Sequence, residues 1–113
     1  TGAADRGNAG QGIWLGSGAN NTIIGGSLAG QGNLIAGNDG TGITVDGASN
    51  VQIIGNSIGF AVGNSASIGN TGDGIRVLNA STGVSILQNT IVGSSDIGID
   101  LANNGASLND TGD

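Results

Sequence analysis

A chain of 113 residues with a formal charge of -6, 25 Gly, no Cys and no His has the length of one domain and excludes several classes at once. Disulfides, iron–sulfur clusters and ordinary zinc sites need ligands that it lacks. Arg6 and Arg76 are the only cations, too few to form a basic stripe for nucleic-acid phosphates or an anionic membrane surface, and no apolar run reaches the roughly 20 residues that cross a bilayer.

The composition also argues against helix. The eight acids are all Asp, and Glu, Lys and Met, which favour helix, are absent. Asp, Asn, Gly and Ser favour turns instead. Disorder is the other reading of so much Gly, but Ile, Val and Leu recur at fixed offsets, which low-complexity linkers do not show.

Taken in order, the chain begins with Thr1 to Ile13, which matches Gly63 to Ile75 at an offset of 62, so residues 1–11 read as the tail of a preceding loop. The start on Thr1 fits a processed or excised piece. Four Gly-Ile-x-[Val/Leu] runs follow, at Gly12–Leu15, Gly42–Val45, Gly74–Val77 and Gly98–Leu101, with spacings of 30, 32 and 24. Second runs lie at Thr22–Ile24, Val51–Ile53 and Val84–Ile86, and third ones at Asn33–Ile35, Asn56–Ile58 and Asn89–Ile91. A basic coil of about 24 residues with two insertions, around Gly25–Gln31 and Phe60–Ile68, accounts for the three spacings.

The expected fold is therefore all-β: a right-handed parallel β-helix, or β-solenoid, of about three to four coils with two insertion loops. It forms a single segment over 1–113, with coils at 12–41, 42–73 and 74–97 and an incomplete last coil at 98–113. Alternate strand residues face opposite sides. Ile13/Ile43/Ile75/Ile99, Leu15/Val45/Val77/Leu101, Thr22/Val51/Val84, Ile24/Ile53/Ile86 and Ile35/Ile58/Ile91 are the expected inward columns. Asn33, Asn56 and Asn89 are expected to stack as an amide ladder. Gly before each Ile is read as supplying a corner conformation that a Cβ would hinder.

Trp14, Thr44, Arg76 and Asp100 form the outward column of the first strands and are the candidate ligand-binding residues. An exposed indole among polar side chains suits stacking on a sugar ring. In the alternative, the Gly25–Gln31 loop covers Trp14, and it is also placed to cover Ile23. Arg76 and Asp100, one coil apart, are expected to form an exposed ion pair worth under about 1 kcal/mol. Asn109, Asp110 and Asp113 offer hard oxygen ligands suited to calcium, against the plain reading of a solvated acidic terminus. No other cofactor is expected.

The ordered stretches GNLIAGN (32–38), GITVDGASNVQIIGNSIG (42–59) and GNTGDGIRV (69–77) resemble the parallel β-helix repeats of large bacterial extracellular and cell-surface proteins, of the pectin-lyase-like kind. The resemblance covers nearly the whole chain and implies an extracellular or cell-surface location. It does not fix a function, because this fold serves lyases, hydrolases, adhesins and spacers.

A lyase of this kind needs a basic residue for proton abstraction; Lys is absent, and Arg76 is placed beside an acid. A hydrolase needs two carboxylates about 5–9.5 Å apart. Asp73 could pair with Asp46 or Asp100, but Asp73 and Asp46 sit where turns favour Asp. The expectation is a non-catalytic structural or adhesive module with carbohydrate as one partner and self-association through the coil ends as another. The alternatives are a subunit of a filament built by end-to-end stacking, and a fragment of a polysaccharide lyase or hydrolase.

Overall fold

The structure, a computed structural model, describes residues 7–60 and 67–101. It is all-β, and no helix occurs among the described residues. Ten short strands follow one another: β1 (Ile13–Leu15), β2 (Ile23–Gly25), β3 (Leu34–Ile35), β4 (Ile43–Asp46), β5 (Gln52–Ile54), β6 (Ser57–Ile58), β7 (Ile75–Leu78), β8 (Ser85–Leu87), β9 (Thr90–Ile91) and β10 (Ile99–Leu101). They are dealt in rotation into three parallel sheets: sheet A in the order β1-β4-β7-β10, sheet B in the order β2-β5-β8 and sheet C in the order β3-β6-β9. Each pass through the three sheets is one turn of a solenoid-like coil.

Register follows from the aliphatic spacing. Ile13 pairs with Ile43, Ile43 with Ile75 and Ile75 with Ile99; Leu15, Val45, Val77 and Leu101 pair in the same way. Ile24, Ile53 and Ile86 line up in sheet B, and Ile35, Ile58 and Ile91 in sheet C. A slip of one residue would turn every one of these side chains outward, so burial fixes the register. The strands of sheet B begin one residue later than the apolar runs suggest. Thr22 and Val51 stay outside the strands, but their carbonyls accept from Gln52 N and Ser85 N at 2.9 and 2.8 Å.

The corner from sheet A to sheet B is built the same way in each coil. Asn21, Asn50 and Gly83, immediately before Thr22, Val51 and Val84, have φ of 59°, 56° and 61°. Asn and Gly tolerate this left-handed conformation where branched residues do not.

The middle of the stack is the driest part. Ile43, Val45, Val51, Ile53, Ile58 and Ile75 are completely buried, each worth roughly 1.5–3 kcal/mol. Ile13, Leu15, Val84, Ile86 and Ile91 are only partly buried. Ile99 and Leu101, expected to be inward, are 43% and 51% exposed. Among the described residues, no strand of sheet B or C faces β10 across the core, so these side chains are covered from one side only.

The glycines before Ile13, Ile43 and Ile75 answer to space rather than to φ, which corrects the corner reading. A Cβ on Gly42 would lie 2.6 Å from Gly74 O and 2.9 Å from Asn70 Nδ2. Gly12 is crowded in the same way by Gly42 O and Asn38 Nδ2. The Gly column is what lets successive coils approach over a buried amide.

Candidate functional site

Two ladders of asparagine hold the corners on either side of sheet C. In the first, Oδ1 of Asn56 accepts from both N and Nδ2 of Asn33, each at 3.0 Å. Asn56 N and Nδ2 in turn donate to Asn89 Oδ1 at 2.9 Å. Asn56 Nδ2 also reaches Ile24 O at 3.0 Å, and Asn89 Nδ2 reaches Ile53 O at 2.8 Å. Asn56 is 1% exposed, so the column is a polar spine buried at its middle rung, with Asn33 exposed and Asn89 half-buried.

The second ladder was not singled out from the sequence. Asn8 N donates to Asn38 Oδ1 at 3.0 Å, and Asn38 N and Nδ2 donate to Asn70 Oδ1 at 3.1 and 2.8 Å. Asn38 and Asn70 are buried. The signal was available in Gly7-Asn8, Gly37-Asn38 and Gly69-Asn70, spaced 30 and 32 residues apart as the Gly-Ile runs are. One coil further, Gly93-Ser94 takes this place, and Ser94 Oγ is buried with no hydrogen-bond partner among the described residues.

The outward face of sheet A brings Trp14, Thr44, Arg76 and Asp100 into one row, in register across β1, β4, β7 and β10. It is not an open row, however. Thr44 is 2% and Asp100 3% exposed, which corrects the expectation that all four residues are displayed. Thr44 stands between Trp14 and Arg76, each one strand spacing (about 4.8 Å) away, and its Oγ1 has no hydrogen-bond partner among the described residues.

The ion pair is also placed differently. Arg76 and Asp100 are register partners, but the guanidinium turns to Asp73, with Nε to Oδ2 at 2.7 Å. Asp73 is completely buried and needs a counter-charge. Its Oδ1 accepts from Ile97 N at 3.2 Å, so this carboxylate clamps one corner to the next.

Trp14 is 56% exposed. Its ring lies over Gly16, where an added Cβ would meet it, and Nε1 donates to Asp46 Oδ2 at 3.3 Å. Asp46 Oδ1 accepts from Asn79 Nδ2 at 2.6 Å. An indole edge, a carboxylate and an amide thus form one connected polar–aromatic patch, which sequence reasoning reached only at Trp14. Leu28, in the loop expected to act as a cover, is itself exposed, and Ile23 is 61% exposed, so the loop does not cover Ile23.

Two open grooves flank this face. One, of about 420 Å³, is lined by Gln11, Asp39, Thr41, Thr71 and Arg76 with turn glycines between them. The other, of about 410 Å³, lies at the last coil, where Val77, Leu78, Val84, Ile86 and Leu101 meet. The calcium candidates Asn109, Asp110 and Asp113 lie outside the described residues. Among the described residues, no three His, Cys, Asp or Glu side chains gather as a metal site. The Phe60–Ile68 insertion is closed at its base by an antiparallel bridge between Phe60 and Ser67 and by Ile68 N donating to Gly59 O at 2.8 Å, while residues 61–66 lie outside the described residues. No helix among the described residues is long and apolar enough to cross a membrane. No family model, curated protein or solved structure matches the chain.

Proposed function

We propose that the chain is a non-catalytic segment of a right-handed parallel β-helix of the pectin-lyase-like kind, serving an extracellular or cell-surface protein as a rigid spacer or adhesive stalk. Carbohydrate meets the outer face of sheet A. The observation that carries the carbohydrate reading is the half-exposed indole of Trp14 joined to Asp46 and Asn79 on a sheet that buries Ile43, Val45 and Ile75 completely on its other side. Such a patch offers an apolar face and fixed hydrogen-bonding groups side by side, as sugar rings require. Right-handedness is supported by the general rule that about 98% of crossovers between parallel strands of one sheet take that hand.

Trp14 is the only Trp, so its fluorescence reports on this face directly. Titration with a panel of soluble polysaccharides should give a saturable change for at least one of them, with no reducing sugar or unsaturated product released. No change across the panel would refute carbohydrate contact, and product release would refute the non-catalytic reading. A second reading, end-to-end association into a filament, is favoured by the apolar groove at the last coil. Sedimentation over a range of concentrations tests it: growth in mass supports the filament, and a constant monomer mass rejects it.

A further inference from the structure

We propose that the groove at the corner between sheet C and sheet A is a subsite for a neutral sugar, gripping a pair of adjacent hydroxyls. The proposal rests on the carbohydrate reading above and assigns the ligand's chemical class. Arg76 is the one cation among the described residues, and Nε is the one guanidinium nitrogen hydrogen-bonded there, held by the buried carboxylate of Asp73 at 2.7 Å. Its orientation is therefore fixed from behind, and the two Nη groups remain as donors in the groove that Arg76 lines. Gln11, Asp39 and Thr71 line the same groove and are exposed, while Thr41 is 2% exposed and lies deeper.

The charge balance selects the ligand. Asp73 already neutralises Arg76, Asp39 adds a negative charge at the groove, and the whole chain carries -6, so an anionic sugar would be repelled. Adjacent hydroxyls instead need donors and acceptors side by side. Arg76 donates, Asp39 accepts, and Gln11 and Thr71 do both. Asp73 is a positioning residue, because its two oxygens are taken by Arg76 and Ile97. Trp14 and Arg76 flank Thr44 on the same face, about 9.6 Å apart as two strand spacings, so one oligosaccharide can reach both.

The test is a titration of the 15N-labelled chain, followed by NMR, with neutral cello-, manno- and xylo-oligosaccharides and with uronate oligosaccharides as probes. Saturable shifts at Gln11, Thr41, Thr71 and the Arg76 Nε–H are expected with a neutral probe, together with weaker or absent shifts with uronates. Gly10 also lines the groove, and a Cβ placed there meets nothing within 4 Å, so Gly10→Leu should fill the groove without disturbing the fold and weaken binding at least tenfold. Asp39→Asn should weaken it by a smaller factor. Shifts confined to the Trp14 region would overturn this subsite while leaving the carbohydrate reading intact. A preference for uronates, or undiminished groove shifts in a folded Gly10→Leu chain, would overturn it too. Silence from every probe at both places would refute the subsite and the carbohydrate reading together.

Discussion

Removing the amide of Asn56 should be among the costliest single changes that leave the aliphatic core intact. In Asn56→Ala the side chain lost is 1% exposed and makes four hydrogen bonds, two accepted from Asn33 and one each donated to Ile24 O and Asn89 Oδ1. Asn89 Oδ1 keeps its bond from Asn56 N at 2.9 Å, so it is not orphaned. Asn33 N loses its partner, whereas Ile24 O keeps its place in the parallel ladder with β5, so the cost is counted per hydrogen bond lost, at about 0.5–1.5 kcal/mol each. Asn33 lies near solvent, which places the sum toward the lower end, about 2–4 kcal/mol. At a typical urea dependence of about 1–3 kcal/mol per molar, the midpoint should fall by roughly 1–2 M. Asn33→Ala is the internal control: its side chain only donates, from an exposed residue, and its loss should cost under about 1 kcal/mol. Urea unfolding followed by circular dichroism measures both variants. Equal midpoints for the two, or a loss under about 0.5 kcal/mol for Asn56→Ala, would refute the buried-spine account.

Further outcomes follow from the same geometry. Gly42→Ala should cost about 1–3 kcal/mol by overpacking, since its Cβ would sit 2.6 Å from Gly74 O; a variant that melts with the parent chain would show that the coils are looser than described. Ile53→Asp should abolish cooperative unfolding, because it buries an unpaired charge at a position with no exposure. Thr44→Val should be neutral or stabilising by up to about 1 kcal/mol, as it removes a buried hydroxyl without a described partner, whereas Thr44→Ser should lose about 0.8 kcal/mol with its methyl; the opposite order in thermal melts would contradict the burial of Thr44. Asp73→Ala should cost about 2–3 kcal/mol, discounted because Arg76 retains 25% side-chain exposure, and a silent variant in urea unfolding would rule out the clamp.

The columns were legible because an aliphatic side chain has one place to go in a narrow coil, and its period therefore survives insertions of different lengths. Ile43, Ile75 and Ile99 keep their register although 32 residues separate the first two and 24 the last two. Polar positions carry less information. The second ladder at Asn8, Asn38 and Asn70 looks like ordinary turn chemistry, since Gly and Asn each favour turns on conformational grounds whether or not the amide is buried. Thr44 illustrates a different gap. Strand alternation correctly sent it outward, but outward is not exposed when Trp14 and Arg76 stand on both sides. The Arg76 partner depended on burial: Asp73 is wholly enclosed and takes the nearest guanidinium, which neighbouring positions along the row could not reveal.

The most direct measurement of the central claim is trans-hydrogen-bond scalar coupling by NMR, which names the donor and acceptor of each bond. Successive coils in parallel register require couplings from Ile13 N to the carbonyl of Gly42, from Ile43 N to that of Gly74 and from Ile75 N to that of Gly98. They also require Ser57 N to couple to the carbonyl of Asn33 and Thr90 N to that of Asn56. Finding this set would establish strands stacked coil on coil. Couplings that pair neighbouring runs of the sequence in antiparallel fashion, such as Ile13–Leu15 with Ile23–Gly25, would contradict it.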